Sequence, residues 1–242
     1  MELSKKEIII SSWSIIKDHL ALMITIVLFI FSLNLILSIV QEKILGNINY
    51  QSILFIISAY LFQMGLNLGL LRICLNMINK TEVNFSLLFS SFHMLIPYVF
   101  ATILYLLALM LAASPGFLLL ITTTSLDLSD LSDITENISA IFSTIIMIIP
   151  PIYLSVRLQF YEYFLIDEEC SIIESIKKSA YISKGYVLEL FILGIILSLI
   201  ILISIIPMGL GLIISIPISM VAITSVYLKL KIIKPLRADH FS

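Results

Sequence analysis

The stretch that decides the fold is LALMITIVLFIFSLNLILSIV, residues 20–40, where no side chain is charged and Asn34 is the one amide. As an α-helix rising about 1.5 Å per residue it extends about 30 Å, the thickness of a bilayer's hydrocarbon core. Five further stretches read the same way, at about 51–74, 97–114, 138–162, 187–206 and 212–230. Hydrophobic residues make up 60% of the 242 and charged residues 12%, with a mean hydropathy of +1.12. An ordinary soluble domain carries about a quarter charged residues, so the composition excludes one. The expected fold is all-α: a single domain over 1–242, a polytopic integral membrane protein with six transmembrane helices.

Between the spans lie three shorter segments with helical periodicity, at about 3–18, 84–95 and 167–184. The first carries Ile9, Trp13, Ile16 and Leu20 on one stripe, with Lys5, Lys6, Glu7 and Lys17 around it. Ser4 followed by Glu7 is a helix-start signature. The second carries Phe85, Leu88, Phe92 and Leu95, and the third Ile173, Ile176 and Ala180. Such segments are expected to lie in the membrane interface, with Trp13 at headgroup depth. The order of amphipathic segment, span, link and span then occurs three times, over about 3–76, 84–165 and 171–231. This predicts a three-fold repeat of helical hairpins.

Cations set the expected orientation. With the N-terminus in the cytoplasm and six spans threaded, Lys5, Lys6, Lys17, Arg72, Lys80, Arg157, Lys177, Lys178, Lys184, Lys229, Lys231, Lys234 and Arg237 all fall inside. That leaves Lys43 alone outside, of 14 cations in the chain. Short cytoplasmic loops carry the excess of Lys and Arg. The expected location is therefore the cytoplasmic membrane, multi-pass, with both termini inside. The acidic run of Asp127, Asp130, Asp133 and Glu136 falls outside.

Prolines interrupt the pattern. Pro115-Gly116 ends or kinks the third span, and Pro150-Pro151 lies near the middle of the fourth. Because proline removes a donor and clashes with the preceding turn, a break or structural kink is expected at Pro150 and Pro151. Gly65 and Gly69 are four apart on the second span, a spacing that favours close helix packing.

Polar groups within spans are costly and are functional candidates by default. Gln63, Asn67, Arg72, Arg157, Gln159, Glu162 and Glu189 form the candidate set. Together they could line a cavity for a charged headgroup or ion, or serve as interfacial anchors and a structural ion pair. Cys74 and Cys170 have no metal spacing, and His19, His93 and His240 lie far apart. No phosphate loop, metalloprotease helix or serine elbow is present. No cofactor, metal site or catalytic residue is expected, and the dispersed cations form no nucleic-acid patch.

The run from Ile152 to Tyr161, IYLSVRLQFY, followed by Leu165-Ile166-Asp167-Glu168, Ser175-Ile176-Lys177-Lys178-Ser179 and Lys184-Gly185, resembles the YciC-like six-span bacterial membrane proteins. It is similar too to the membrane portion attached to some glycerophosphodiester phosphodiesterases. Gly65-Leu66-Asn67-Leu68-Gly69 and the region 217–227 look alike as well. The resemblance implies a small polytopic membrane protein without an established activity. It assigns no catalytic residue, since no phosphodiesterase domain accompanies it. The expected role is non-enzymatic, in envelope homeostasis or assembly of a complex, with membrane lipids and a membrane-protein partner or second copy as binding partners. The alternative is a small-molecule or lipid transporter.

Overall fold

The computed structural model describes residues 4–45, 50–123, 138–206 and 209–235. The acidic 127–136 run, Arg237 and residues 46–49 of the 41–50 link lie outside the described residues. Those described fold as helices: α1 Lys5–Asp18, α2 Leu20–Leu45, α3 Tyr50–Ile78, α4 Leu87–Ser90, a 3-10 turn Ser91–Met94, α5 Leu95–Thr123, α6 Ile138–Leu158, α7 Tyr161–Asp167, α8 Ile172–Ser183, α9 Val187–Ile203 and α10 Leu212–Ile233. Five helical stretches are long and apolar enough to cross a membrane, and a sixth is added if α8 and α9, bent by 96°, count as one. The chain is a multi-span helical membrane protein.

Helix α10 runs through the centre. Its residues Val221, Ala222, Val226, Tyr227 and Leu230 are buried among two apolar clusters. One cluster joins Leu68, Leu71 and Leu75 of α3 to Phe160, Phe164, Leu193 and Tyr227; the other joins Met23 and Ile26 of α2 to Leu66, Leu70 and Ile73. Helix α1 belongs to this core. Its buried stripe is Ile8, Ser12 and Ile16, rotated from the expected one, with Trp13 exposed. Ser12 donates its hydroxyl to the Ile8 carbonyl at 2.7 Å, so its burial leaves no orphaned donor.

Glycines place the neighbouring elements. A Cβ on Gly69 would lie 1.8 Å from the Leu88 carbonyl oxygen, and one on Gly65 2.6 Å from the Phe92 ring. The Gly65/Gly69 face of α3 therefore seats α4 and the 3-10 turn against it. Leu88 and Phe92, two members of the expected stripe, pack into the cluster there.

Of the outcomes expected at the prolines, a helix end or break is corrected. Helix α5 continues through Pro115 to Thr123, and α6 continues through Pro150 and Pro151 to Leu158. The two α6 prolines cannot donate to the carbonyls of Ile146 and Met147, four residues earlier. Gly116 of α5 meets α6 at that level, where its Cβ would stand 2.2 Å from the Met147 nitrogen. Close packing by a residue without a side chain thus accompanies the missing hydrogen bonds, and the helix persists. The break falls instead at Gln159 and Phe160, so the expected 138–162 span is divided between α6 and α7.

The α8 stripe also differs. Ile173 is 62% exposed, whereas Ser175, Lys178, Ser179, Ile182 and Ser183 are buried. Small hydroxyl residues, rather than branched apolar ones, allow α8 to approach α6 and α7 closely.

Candidate functional site

Arg72, Arg157, Gln159 and Glu162 lie toward one end of the bundle, where α7, α8 and the C-terminal ends of α3, α6 and α10 meet, whereas Gln63 and Asn67 lie within α3. The break after α6 is closed by α8. Phe160 donates its backbone N–H to Ser179 Oγ at 3.0 Å, and that hydroxyl donates to the Arg157 carbonyl at 3.2 Å. Arg157 Nη2 donates in turn to the Ala180 carbonyl at 2.6 Å. Phe160 and Ser179 are fully buried. An unpaired buried backbone group there would cost about 1–3 kcal/mol, so Ser179 makes the break tolerable.

Next to it runs a chain of ion pairs. Asp167 Oδ2 accepts from the Tyr227 hydroxyl at 2.9 Å and from Lys231 Nζ at 2.7 Å. Lys231 also pairs with Glu168 at 2.7 Å, Glu168 with Lys178 at 2.7 Å, and Lys178 with Glu174 at 2.6 Å. Charges from α7, α8 and α10 are thereby tied together. Cys170 lies beside this chain, and burial pushes its thiol up to about 11.

Arg72 sits at a separate place. Its Nη1 donates to the Ile166 carbonyl at 2.7 Å. It forms one wall of a cleft of about 300 Å³, with Asn76, Thr81, Ser90, His93 and Glu169 among the other lining residues. His93 Nε2 lies 3.8 Å from Glu169 Oε1, with both side chains exposed.

The remaining candidates do not join that cleft. Glu162 accepts from the Tyr98 hydroxyl at 3.2 Å, beside stacked Tyr98, Tyr161 and Tyr105 rings. Gln159 Nε2 donates to the Val156 carbonyl at 3.0 Å. Gln63 donates to Asn34 of α2. Glu189 is half-buried in the first turn of α9. Asn67 is exposed on α3 and makes no hydrogen bond among the described residues. The expected single cavity is thus distributed over several places. The break after α6 is one reason, because it sends Arg157 toward α8 and Glu162 toward α5.

Ser179, Tyr98, Tyr227 and Lys231 were absent from the candidate set. Their signal in sequence is weak, since a serine or tyrosine near a span end looks like ordinary interfacial composition. Among the described residues no group of three or more His, Cys, Asp or Glu is placed to hold a metal ion.

Fold and site together define a multi-span helical membrane protein whose ion pairs, among the described residues, lie at one end. No protein-family model, curated protein or solved structure matches the chain.

Proposed function

We propose that the chain is a non-enzymatic membrane protein of the YciC-like type that assembles with a partner membrane protein through the Asn67 face of α3. The observation that carries this reading is Asn67 itself. It is an exposed, unpaired amide within the Ser52–Ile78 span. An amide facing lipid is unfavourable, whereas hydrogen bonding to a neighbouring helix contributes about 1 kcal/mol. The distribution of polar groups supports the same reading. Many buried hydroxyls are spent on their own helix, as with Ser219, Thr224 and Ser183. The described clefts with polar walls lie at the charged end rather than along the spans.

The charged end is the cytoplasmic one on this reading, with six spans and both termini inside. The three amphipathic segments, in this view one per hairpin, hold that end together. Thiol-reactive labelling of intact cells carrying single cysteines at Lys6 and Lys184 tests the orientation: both stay protected until the membrane is opened. Labelling of either from outside would reverse it.

Native mass spectrometry of the protein extracted gently from its own membrane tests the partner. A stoichiometric membrane-protein partner is expected with the native chain and is lost with Asn67→Leu. A chain that emerges alone, with the variant indistinguishable, would overturn the reading.

A further inference from the structure

Three cations outside the ion-pair chain gather where α8 ends. Arg157 donates to the Ala180 carbonyl, and Lys234 Nζ donates to the Tyr181 carbonyl at 3.3 Å and to the Lys184 carbonyl. Among the described residues no carboxylate lies within ion-pair distance of Arg157, Lys184 or Lys234. The carbonyls of a helix C-terminus carry only about half an elementary charge, so positive charge remains in excess. Burial lowers Lys234 below its ordinary value, and Lys184 and Arg157 lower it further. Arg157 Nε is buried without a hydrogen-bond partner.

An apolar groove of about 430 Å³ begins beside this cluster. It lies between α6 and α9 and is lined by Ile149, Ile152, Tyr153, Val156, Val187 and Leu188, with Phe191 further along. The guanidinium carbon of Arg157 is 5.9 Å from the Tyr153 ring centre, and Lys234 Nζ is 5.4 Å from that of Tyr186. Tyr186 directly precedes the groove residue Val187. Cations thus stand at the end of a groove whose walls suit a hydrocarbon chain.

From this arrangement we infer that the α6/α9 groove binds one anionic phospholipid, its phosphate held by Arg157, Lys184 and Lys234 and an acyl chain lying along Tyr153, Val156 and Leu188. The charge complementarity selects an anionic headgroup over a zwitterionic one. The site is independent of the Asn67 face, on another pair of helices.

The test uses the full chain in nanodiscs of phosphatidylcholine with phosphatidylglycerol, followed by stepwise delipidation and native mass spectrometry. The expected result is one phosphatidylglycerol retained in preference to phosphatidylcholine. A cation near a membrane surface contributes about 1 kcal/mol toward anionic lipid, so Lys184→Gln should lower retention about fivefold. The Lys184 side chain makes no hydrogen bond or ion pair among the described residues, so this variant leaves the fold intact. Leu188→Trp, which fills the groove from an exposed position, should lower it as well. Equal retention of the two lipids, or retention unchanged in both variants, would overturn the site. So would full displacement by inorganic phosphate with no effect of Leu188→Trp, which would point to a free-anion site.

Discussion

The Phe160 N–H donates to the Ser179 hydroxyl across 3.0 Å, and this bond fastens α8 to the break between α6 and α7. The same hydroxyl satisfies the Arg157 carbonyl, so one small side chain serves both sides of an interrupted helix.

Ser179→Ala strands both of those backbone groups. Leaving a buried polar group unsatisfied costs about 1–3 kcal/mol. The variant is expected to unfold at a lower temperature than the native chain, read by thermal unfolding in detergent micelles. An unchanged midpoint would mean that the break is satisfied elsewhere.

Gly69 and Gly194 make a matched pair. A Cβ at Gly69 would collide with Leu88 backbone, whereas nothing lies within 4 Å of one at Gly194. Overpacking costs about 1–3 kcal/mol. Gly69→Ala is therefore expected to destabilise, and Gly194→Ala to leave stability unchanged or improve it. The order of the two midpoints is the readout, and its reversal would refute the packing of α4 on α3.

Asp167 anchors two helices, and its side chain is 20% exposed, whereas that of Glu174, at the far end of the same chain of ion pairs, is 38% exposed. Hydrogen bonds to charged groups contribute about 1.5–3 kcal/mol, so Asp167→Ala should lower stability by an amount in that range. Glu174→Ala should leave it as it was. Equal effects in a denaturant titration would place the two carboxylates in equivalent surroundings.

The spans were legible from their apolar length, and five were found as helical stretches long and apolar enough to cross a membrane. The remaining expected span coincides with α9, whose 17 residues count as a crossing only together with the bent α8. What the sequence hid is what one helix cannot show about its neighbours. Helical spacing identified Ile173, Ile176 and Ala180 as a stripe; Ile176 does pack against the core but Ile173 is exposed, and the buried face of α8 is serine-rich, because the interrupted α6/α7 backbone needs a hydroxyl. Pro150 and Pro151 signalled a break or a kink, and the helix runs on without a break; the close approach of Gly116 occurs in three dimensions only. Likewise Arg157 and Glu162 look like one polar patch until the turn at 159–160 sends them apart.

Cys170 offers a check on local burial. Its thiol, pushed up to about 11, is mostly protonated at neutral pH. Because the thiolate is the nucleophile, maleimide labelling of the folded chain should be slow at pH 7 and rise about tenfold per pH unit. Cys74, fully buried, should label only after unfolding. Fast labelling of Cys170 at pH 7 would show that the α7–α8 connection is open to water.

The most direct measurement of the account is site-specific photocrosslinking in the native membrane, with a photoreactive residue at Asn67 and, as the lipid-facing control, at Ile96, which is exposed on α5. The account predicts one discrete protein adduct from position 67 and none from position 96. Lipid adducts alone at position 67, matching those at 96, would contradict it.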